Sequence, residues 1–341
     1  MAAQSPLILR PAWRAPGARA LLAVLLLIAL AGIGGCAAQP TISRLPADWP
    51  ARVELSATPF FPQTEHQCGP AALATVLGAA GHPVEPSALT AEVFLPGREG
   101  SLQAELVAAA RARGVLAVET GPALDDVLAE TAAGRPVLVL QQLGVGPWPY
   151  WHYAVVIGYD RPRQRVLLRS GVDELVEQRA AVFEATWARG GHWALVLLEP
   201  GQLPARPDLD RYMRAAADME RQSITAAEAA YRAAAARWPE APLPALGLGN
   251  VAAARGEWLE AERWYRAALE ADPAAAAALN NRAEALGRLG CYGLARRVLQ
   301  EGMAYIAAGD PLRPVLDDTA RALDAASGDA DPANCSQFTF H

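Results

Sequence analysis

The alternation of apolar and polar positions divides the chain into two unlike halves. From about Val53 to Leu198, three helix-patterned stretches come first: "CGPAALATVLGAAG", "SLQAELVAAARARG" and "ALDDVLAETAAG". Each ends at glycine, the residue that most readily takes the left-handed conformation of a helix C-cap. Apolar runs of strand length follow: "PVLVLQQL" from Pro136, "HYAVVIGYD" from His152, "RVLLRS" from Arg165 and "HWALVLLE" from His192. Helices grouped before strands predict an α+β domain rather than a doubly wound parallel sheet. A Pro-rich stretch, "EPGQLPARPDLD" (Glu199 to Asp210), closes this half, and an Ala-rich, uniformly helical pattern takes over.

That second pattern repeats. Pro239 and Pro273, Gly256 and Gly290, and Ala227, Ala261 and Ala295 each recur at a spacing of 34 residues. A period of this length marks stacked helix–turn–helix units, none of which can bury its apolar face alone. From about Pro242 to Ala275, Leu248, Gly249, Ala261, Tyr265, Ala268 and Pro273 fill the positions where tetratricopeptide repeats place Leu, Gly, Ala, an aromatic, Ala and Pro, so this region resembles that repeat family. The unit before keeps Ala227, Tyr231, Ala234 and Pro239; the unit after keeps Ala295, with Leu299 in the aromatic slot. The divisions expected are a leader (1–35), a tether (36–52), the α+β domain (53–200), helical repeats (208–309) and a tail (310–341).

The leader follows from charge and length. Arg10, Arg14 and Arg19 precede "ALLAVLLLIALAGIGG", sixteen uncharged residues from Ala20 to Gly35. A membrane-spanning helix needs about 20 apolar residues, so the stretch predicts an export signal instead. "IGGC" at Ile33 to Cys36 resembles the lipobox of bacterial lipoproteins, which implies a lipid-modified Cys36. It also implies a place in the bacterial cell envelope, membrane-bound through the lipid; with no Asp after Cys36, the outer membrane, facing the periplasm, is expected. All 30 basic residues are arginine, and the net charge of -6 leaves no basic footprint for nucleic acid. Of four cysteines, Cys36 goes to the lipid. In an oxidising compartment Cys291 and Cys335 can pair, which leaves Cys68 free.

Cys68 is therefore the candidate nucleophile. Gly69 and Pro70 follow it, and proline in the first turn of a helix costs no hydrogen bond. The thiol is thus expected at a helix N-terminus, where unpaired amides favour the thiolate. Gln63, five residues upstream, carries amide donors suited to an oxyanion hole. A base requires histidine: His152 heads an apolar run, His192 is its rival, His66 lies in the loop before the cysteine, and His82 lies beyond the far end of the same helix. No Cys/His spacing predicts zinc, and no cofactor is expected.

"PFFPQTEHQCGPAALA", "LPGREGSLQAEL" and "YWHYAVVIGYD" together resemble the bacteriocin-processing, double-glycine-type cysteine peptidases, a papain-like family, over about Pro59 to Leu198. The resemblance implies an α+β papain-like fold, Cys68 as nucleophile, Gln63 at the oxyanion and His152 as base. It also implies a peptide or protein substrate, with the repeats holding a protein partner. The family orients its histidine with an Asp-Pro aspartate, for which "VLLRSGVDEL" has no counterpart. A regular hairpin closed between Asp160 and Arg165 would set Asp173 opposite His152; an ungapped alignment points nearer Ser170. Asp173 is expected as the orienting group, Ser170 as the alternative. The missing Asp-Pro also motivates a second reading, a catalytically inactive adaptor lipoprotein.

Overall fold

"WHYAVVIGYD" forms strand β4 (Trp151–Asp160), buried at every position after Trp151, and the sheet is built outward from it. The computed structural model describes residues 42, 45–62, 67–98, 100–144, 148–326 and 333–338. Beside β4 lie β3 (Val137–Gln142) and β5 (Arg165–Ser170), with β6 (Asp173–Arg179) outside β5. On the other side the order runs β3, β7 (Ala194–Leu198), β2 (Leu116–Glu119), while β1 (Arg52–Glu54) pairs with the far end of β4. Every pairing is antiparallel. Close approach of β1 requires Gly158, because a Cβ there would collide with the Val53 carbonyl oxygen.

One face of the sheet is covered by α1 (Cys68–Ala79), α2 (Pro86–Val93) and α3 (Gln103–Arg111), which bury Leu73, Leu77, Leu89 and Leu106 against Tyr153, Val155 and Ile157. The opposite face takes α4 (Leu124–Ala132) and α5 (Ala180–Arg189), with Phe183 and Trp187 against Ala154, Val156 and Tyr159. A central strand covered on both faces has no polar alternation to show, which is why β4 reads as a continuous apolar run. The α+β fold class is the one expected. Strand β6 went unforeseen because "DELVEQR" sits at the sheet edge, where mostly exposed polar side chains remove the apolar signal. The run from His192 starts late as a strand: β7 begins at Ala194, and His192 occupies a turn with φ 54°.

Within the segment expected as a tether, Ile42 and the residues from Leu45 are docked. Ile42 and Leu45 are buried with α4 and α5, and Trp49 packs on the same cluster. The Arg161 guanidinium, just after β4, donates to the carbonyls of Leu45 (2.6 Å), Pro46 (3.0 Å) and Trp49 (3.5 Å).

The second half is helical throughout: α6 (Leu209–Met219), α7 (Ile224–Arg237), α8 (Pro242–Ala254), α9 (Trp258–Ala271), α10 (Ala276–Arg288), α11 (Tyr292–Gly302) and α12 (Arg313–Ala325). The repeat spacing acts through contacts: a Cβ at Gly249 would run into the ring of Tyr265, so the glycine is what lets α8 and α9 approach. The stretch expected as a tail contributes α12, which buries Leu316 and Leu323 against α10 and α11, and Cys335, which is disulfide-bonded to Cys291. Closing a loop of 44 residues stabilises this end by about 4 kcal/mol on the chain-entropy account.

The two halves share a core. Leu116 and Val118 of β2 and Val196 and Leu198 of β7 face Tyr212, Met219, Tyr231 and Leu248 from α6 to α8, so the first repeat helices complete the sheet's second face. Burying four such side chains is worth roughly 6 kcal/mol or more, comparable with the net stability of a domain. A chain ending at Pro204 retains all seven strands, yet it is expected to aggregate or to melt at least ~10 °C below the full chain; equal melting temperatures in calorimetry would show that the sheet does not need the helices.

Candidate active site

Helix α1 begins at Cys68 itself. Pro70 falls among the first four residues, whose amides have no intrahelical acceptor, so the ring interrupts nothing. The Cys68 sulfur accepts backbone hydrogen bonds from Tyr153, from Gly69 and from its own amide. The Tyr153 contact joins two distant parts of the sequence, because the same peptide link carries His152. Tyr153 is anchored in turn: its hydroxyl donates to the Ser101 carbonyl (3.2 Å), and the edge of Trp193 meets its ring at 5.9 Å.

His152 is 6 % exposed. Its Nε2 and Ser170 Oγ are hydrogen-bonded at 2.8 Å, and its Nδ1 is buried with no hydrogen-bond partner among the described residues. With Nε2–H donating to the serine, the free Nδ1 carries the lone pair, the tautomer a general base needs. The ring of Tyr150 lies nearly parallel over it, 14° from coplanar at 6.1 Å.

Burial dominates the electrostatics. Desolvation pushes the Cys68 thiol up despite the three amides, so the lowering expected at a helix N-terminus is outweighed. Desolvation also holds the His152 imidazole below its ordinary value. Both shifts disfavour a resting thiolate–imidazolium pair and favour neutral thiol with neutral imidazole.

Asp173 does not stand opposite His152. The regular register (Asp160 with Arg165, Gly158 with Leu167) slips by one residue between Gly158 and Val156, giving Val156 with Leu168 and Val155 with Arg169. The chain then turns at Gly171 (φ 64°), and Asp173 pairs back onto Ser170 as the exposed first residue of β6. The remaining candidates are dispersed. His82 pairs with Glu199 at 2.9 Å, and His192 packs edge-on against Trp187 at 4.8 Å. Gln63, His66 and Cys36 lie outside the described residues.

Sequence reasoning missed Arg169. It is buried in β5, and its guanidinium donates to the carbonyls of Glu174 (2.6 Å), Ser56 (3.0 Å) and Thr58 (3.1 Å), with the Glu174 carboxylate at 3.7 Å. One side chain thus ties the strand bearing Ser170 to the start of β6 and to the segment leading toward Cys68. The signal was an arginine inside the apolar run "RVLLRS", where a cation must be compensated if it is buried.

A helix-borne cysteine whose sulfur meets the amide following a buried histidine, on an antiparallel α+β scaffold, defines the papain-like class. Residues 56–194 match the model of the Peptidase_C39 like family. No curated protein matches the chain. Solved structures to which it is similar include one described as a C39-like peptidase from Bacillus anthracis, 21% identical over 43% of this chain and 98% of that one, with a TM-score of 0.37. Another is the peptidase domain of Streptococcus ComA, a bifunctional ABC transporter involved in a quorum-sensing pathway: 20% identical, 42% and 98% covered, TM-score 0.34. A third is the tetratricopeptide domain of Sgt2 from Aspergillus fumigatus: 21% identical, 38% and 95% covered, TM-score 0.31.

Replacing the neutral partner of His152 with a charged one should move its titration. Ser170→Asp is expected to raise the imidazole pKa by about one unit or more, since a carboxylate at hydrogen-bond distance favours imidazolium, whereas Ser170→Ala should leave it depressed. Ring-proton NMR titration reads both, and an unmoved pKa in Ser170→Asp would dissociate the serine from the histidine.

Proposed function

We propose that the protein is a lipid-anchored cysteine peptidase of the bacterial cell envelope, in which Cys68 attacks a peptide carbonyl and His152 serves as base. The observation that carries this reading is the buried, unpartnered Nδ1 of a histidine whose Nε2 is held by Ser170 and whose following amide meets the Cys68 sulfur.

The chemistry begins from the neutral pair. As sulfur bonds to the carbonyl carbon, the thiol proton passes to His152 Nδ1, and the carbonyl π electrons move to oxygen. Gln63 supplies the donor for that oxyanion, together with the Cys68 amide. The imidazolium then gives its proton to the leaving amine as the C–N bond breaks, leaving a Cys68 thioester. Water, deprotonated by the same nitrogen, hydrolyses the thioester and restores the thiol. Through the cycle Ser170 keeps the ring oriented by accepting from Nε2–H. A neutral hydroxyl stabilises imidazolium less than a carboxylate does, so a modest turnover follows from this substitution. The repeats bind a protein, substrate or partner. Lipid on Cys36 holds the chain to the outer membrane; no helix among the described residues is long and apolar enough to span one.

The second reading, an adaptor that has lost catalysis, draws on one observation, the serine where the family keeps an aspartate. Alkylation separates the two. In a Cys36→Ser chain with its disulfide intact, iodoacetamide should modify Cys68, with a rate that His152→Ala lowers about tenfold or more. Because burial depresses the His152 pKa, the wild-type rate should hold as pH falls through imidazole's ordinary value near 6.5 and drop only below it. A rate indifferent to His152→Ala, with no cleavage of a fluorogenic peptide library, would leave the adaptor.

A further inference from the structure

We propose that the β4–β5 end of the sheet is a docking surface for an anionic bilayer, and that the Cys68–His152 site is thereby presented at the end pointing into the aqueous space. This rests on the lipid-anchoring reading above for its tether, but the surface itself is argued from folded residues.

The first observation is where the chain enters the fold. Only five residues, "AAQPT", separate Cys36 from Ile42, and Ile42 is already buried in the core. Six Cα steps reach at most about 22 Å, so a lipid on Cys36 keeps this entry point close to the membrane. The entry is fastened to the Arg161 end of β4 through the Leu45, Pro46 and Trp49 carbonyls. His152 heads the same strand at its other end, eight residues from Asp160, or about 26 Å at a strand's rise. That separation is larger than the tether's reach, so with β4 standing toward the membrane normal only the entry end can face the bilayer.

The second observation is charge. The anchor end carries Arg52, Arg161, Arg163, Arg165 and Arg179, with one exposed acid, Asp48, in the entering segment. Arg52 is matched by Asp160 and Glu54, Arg163 by Glu177, and Arg161 is spent on carbonyls. Arg165 and Arg179, however, stand directly opposite each other across β5 and β6, and neither has an ion pair among the described residues. Like charges in that position destabilise a sheet, and phosphodiester headgroups would relieve them while attracting the whole end. At the catalytic end Asp173 and Glu174, the latter 3.7 Å from Arg169, lie beside the exposed Trp148, Tyr150, Trp151 and Val172, while Arg189 is held on Gln142 opposite Trp151. Among the described residues no pair of unmatched arginines faces anionic lipid there, and the exposed aromatic side chains suit a polypeptide. The substrate class follows: a peptide segment reachable well away from the headgroups, rather than one held at the bilayer surface.

Two labels and one charge reversal test this. Fluorophores on Pro162→Cys or Val172→Cys, each in a Cys68→Ala background, are compared on lipid-modified protein in vesicles of equal phosphatidylcholine and phosphatidylglycerol containing a headgroup quencher. Quenching should be strong at position 162 and weak at 172; equal quenching, or stronger quenching at 172, overturns the orientation. Separately, the Cys36→Ser protein should bind the same vesicles, and Arg165→Glu with Arg179→Glu should weaken that binding about tenfold or more. Binding unaffected by the reversal, or equal on pure phosphatidylcholine, overturns the surface. Intact mass of the membrane-extracted chain reports lipid on Cys36 independently. A chain without lipid refutes the anchor and leaves the arginine surface to stand or fall on the vesicle measurement.

Discussion

Most of the molecule depends on the pairing of β4. This strand is hydrogen-bonded to β1, β3 and β5 and covered on both faces, so it has no freedom to shift without breaking three ladders and two cores. At one end it aims the Tyr153 amide at the Cys68 sulfur and places His152 against Ser170. At its other end the next residue, Arg161, collects the incoming chain. A one-residue slip would turn each of its buried side chains to the wrong face, which is why the register is so strongly specified.

Desolvation sets the character of the site. The same packing that orders His152 and Cys68 raises the thiol and depresses the imidazole, so both shifts favour the neutral forms. A serine partner is consistent with that regime. It satisfies Nε2 without introducing a charge that burial would penalise, at the expense of less support for the imidazolium. Arg169 contributes on a different link of the chain: by gathering the carbonyls of Ser56, Thr58 and Glu174 it holds the approach to Cys68 against the hairpin that carries Ser170.

The helical repeats are not an appendage. Because α6 to α8 cover β2 and β7, the array begins as the outer layer of the sheet, and further units stack outward from it until α12 and the Cys291–Cys335 bond close the end. The repeats are therefore joined to the sheet through a shared core instead of a linker.

Local signals were enough for much of this. Glycine-terminated helices, apolar strand runs and the 34-residue period are chemical patterns of neighbouring residues, and they specified the α+β class, the repeats, Cys68 at a helix start and His152 at a strand start. Counting cysteines left two late thiols to pair, and they are joined. Contacts between distant residues were not legible in the same way. Ser170 rather than Asp173 meets His152 because the β4–β5 ladder slips and the chain then turns at Gly171, features of strand pairing that no local pattern announces. The burial that raises the Cys68 thiol depends on three helices closing over one face. The docking of Ile42 and the sharing of a core between sheet and repeats depend on which faces remain uncovered once the strands have paired. Residue type and spacing encode what a segment can become; only the assembled packing decides which of its polar groups lose water and which partner each one meets.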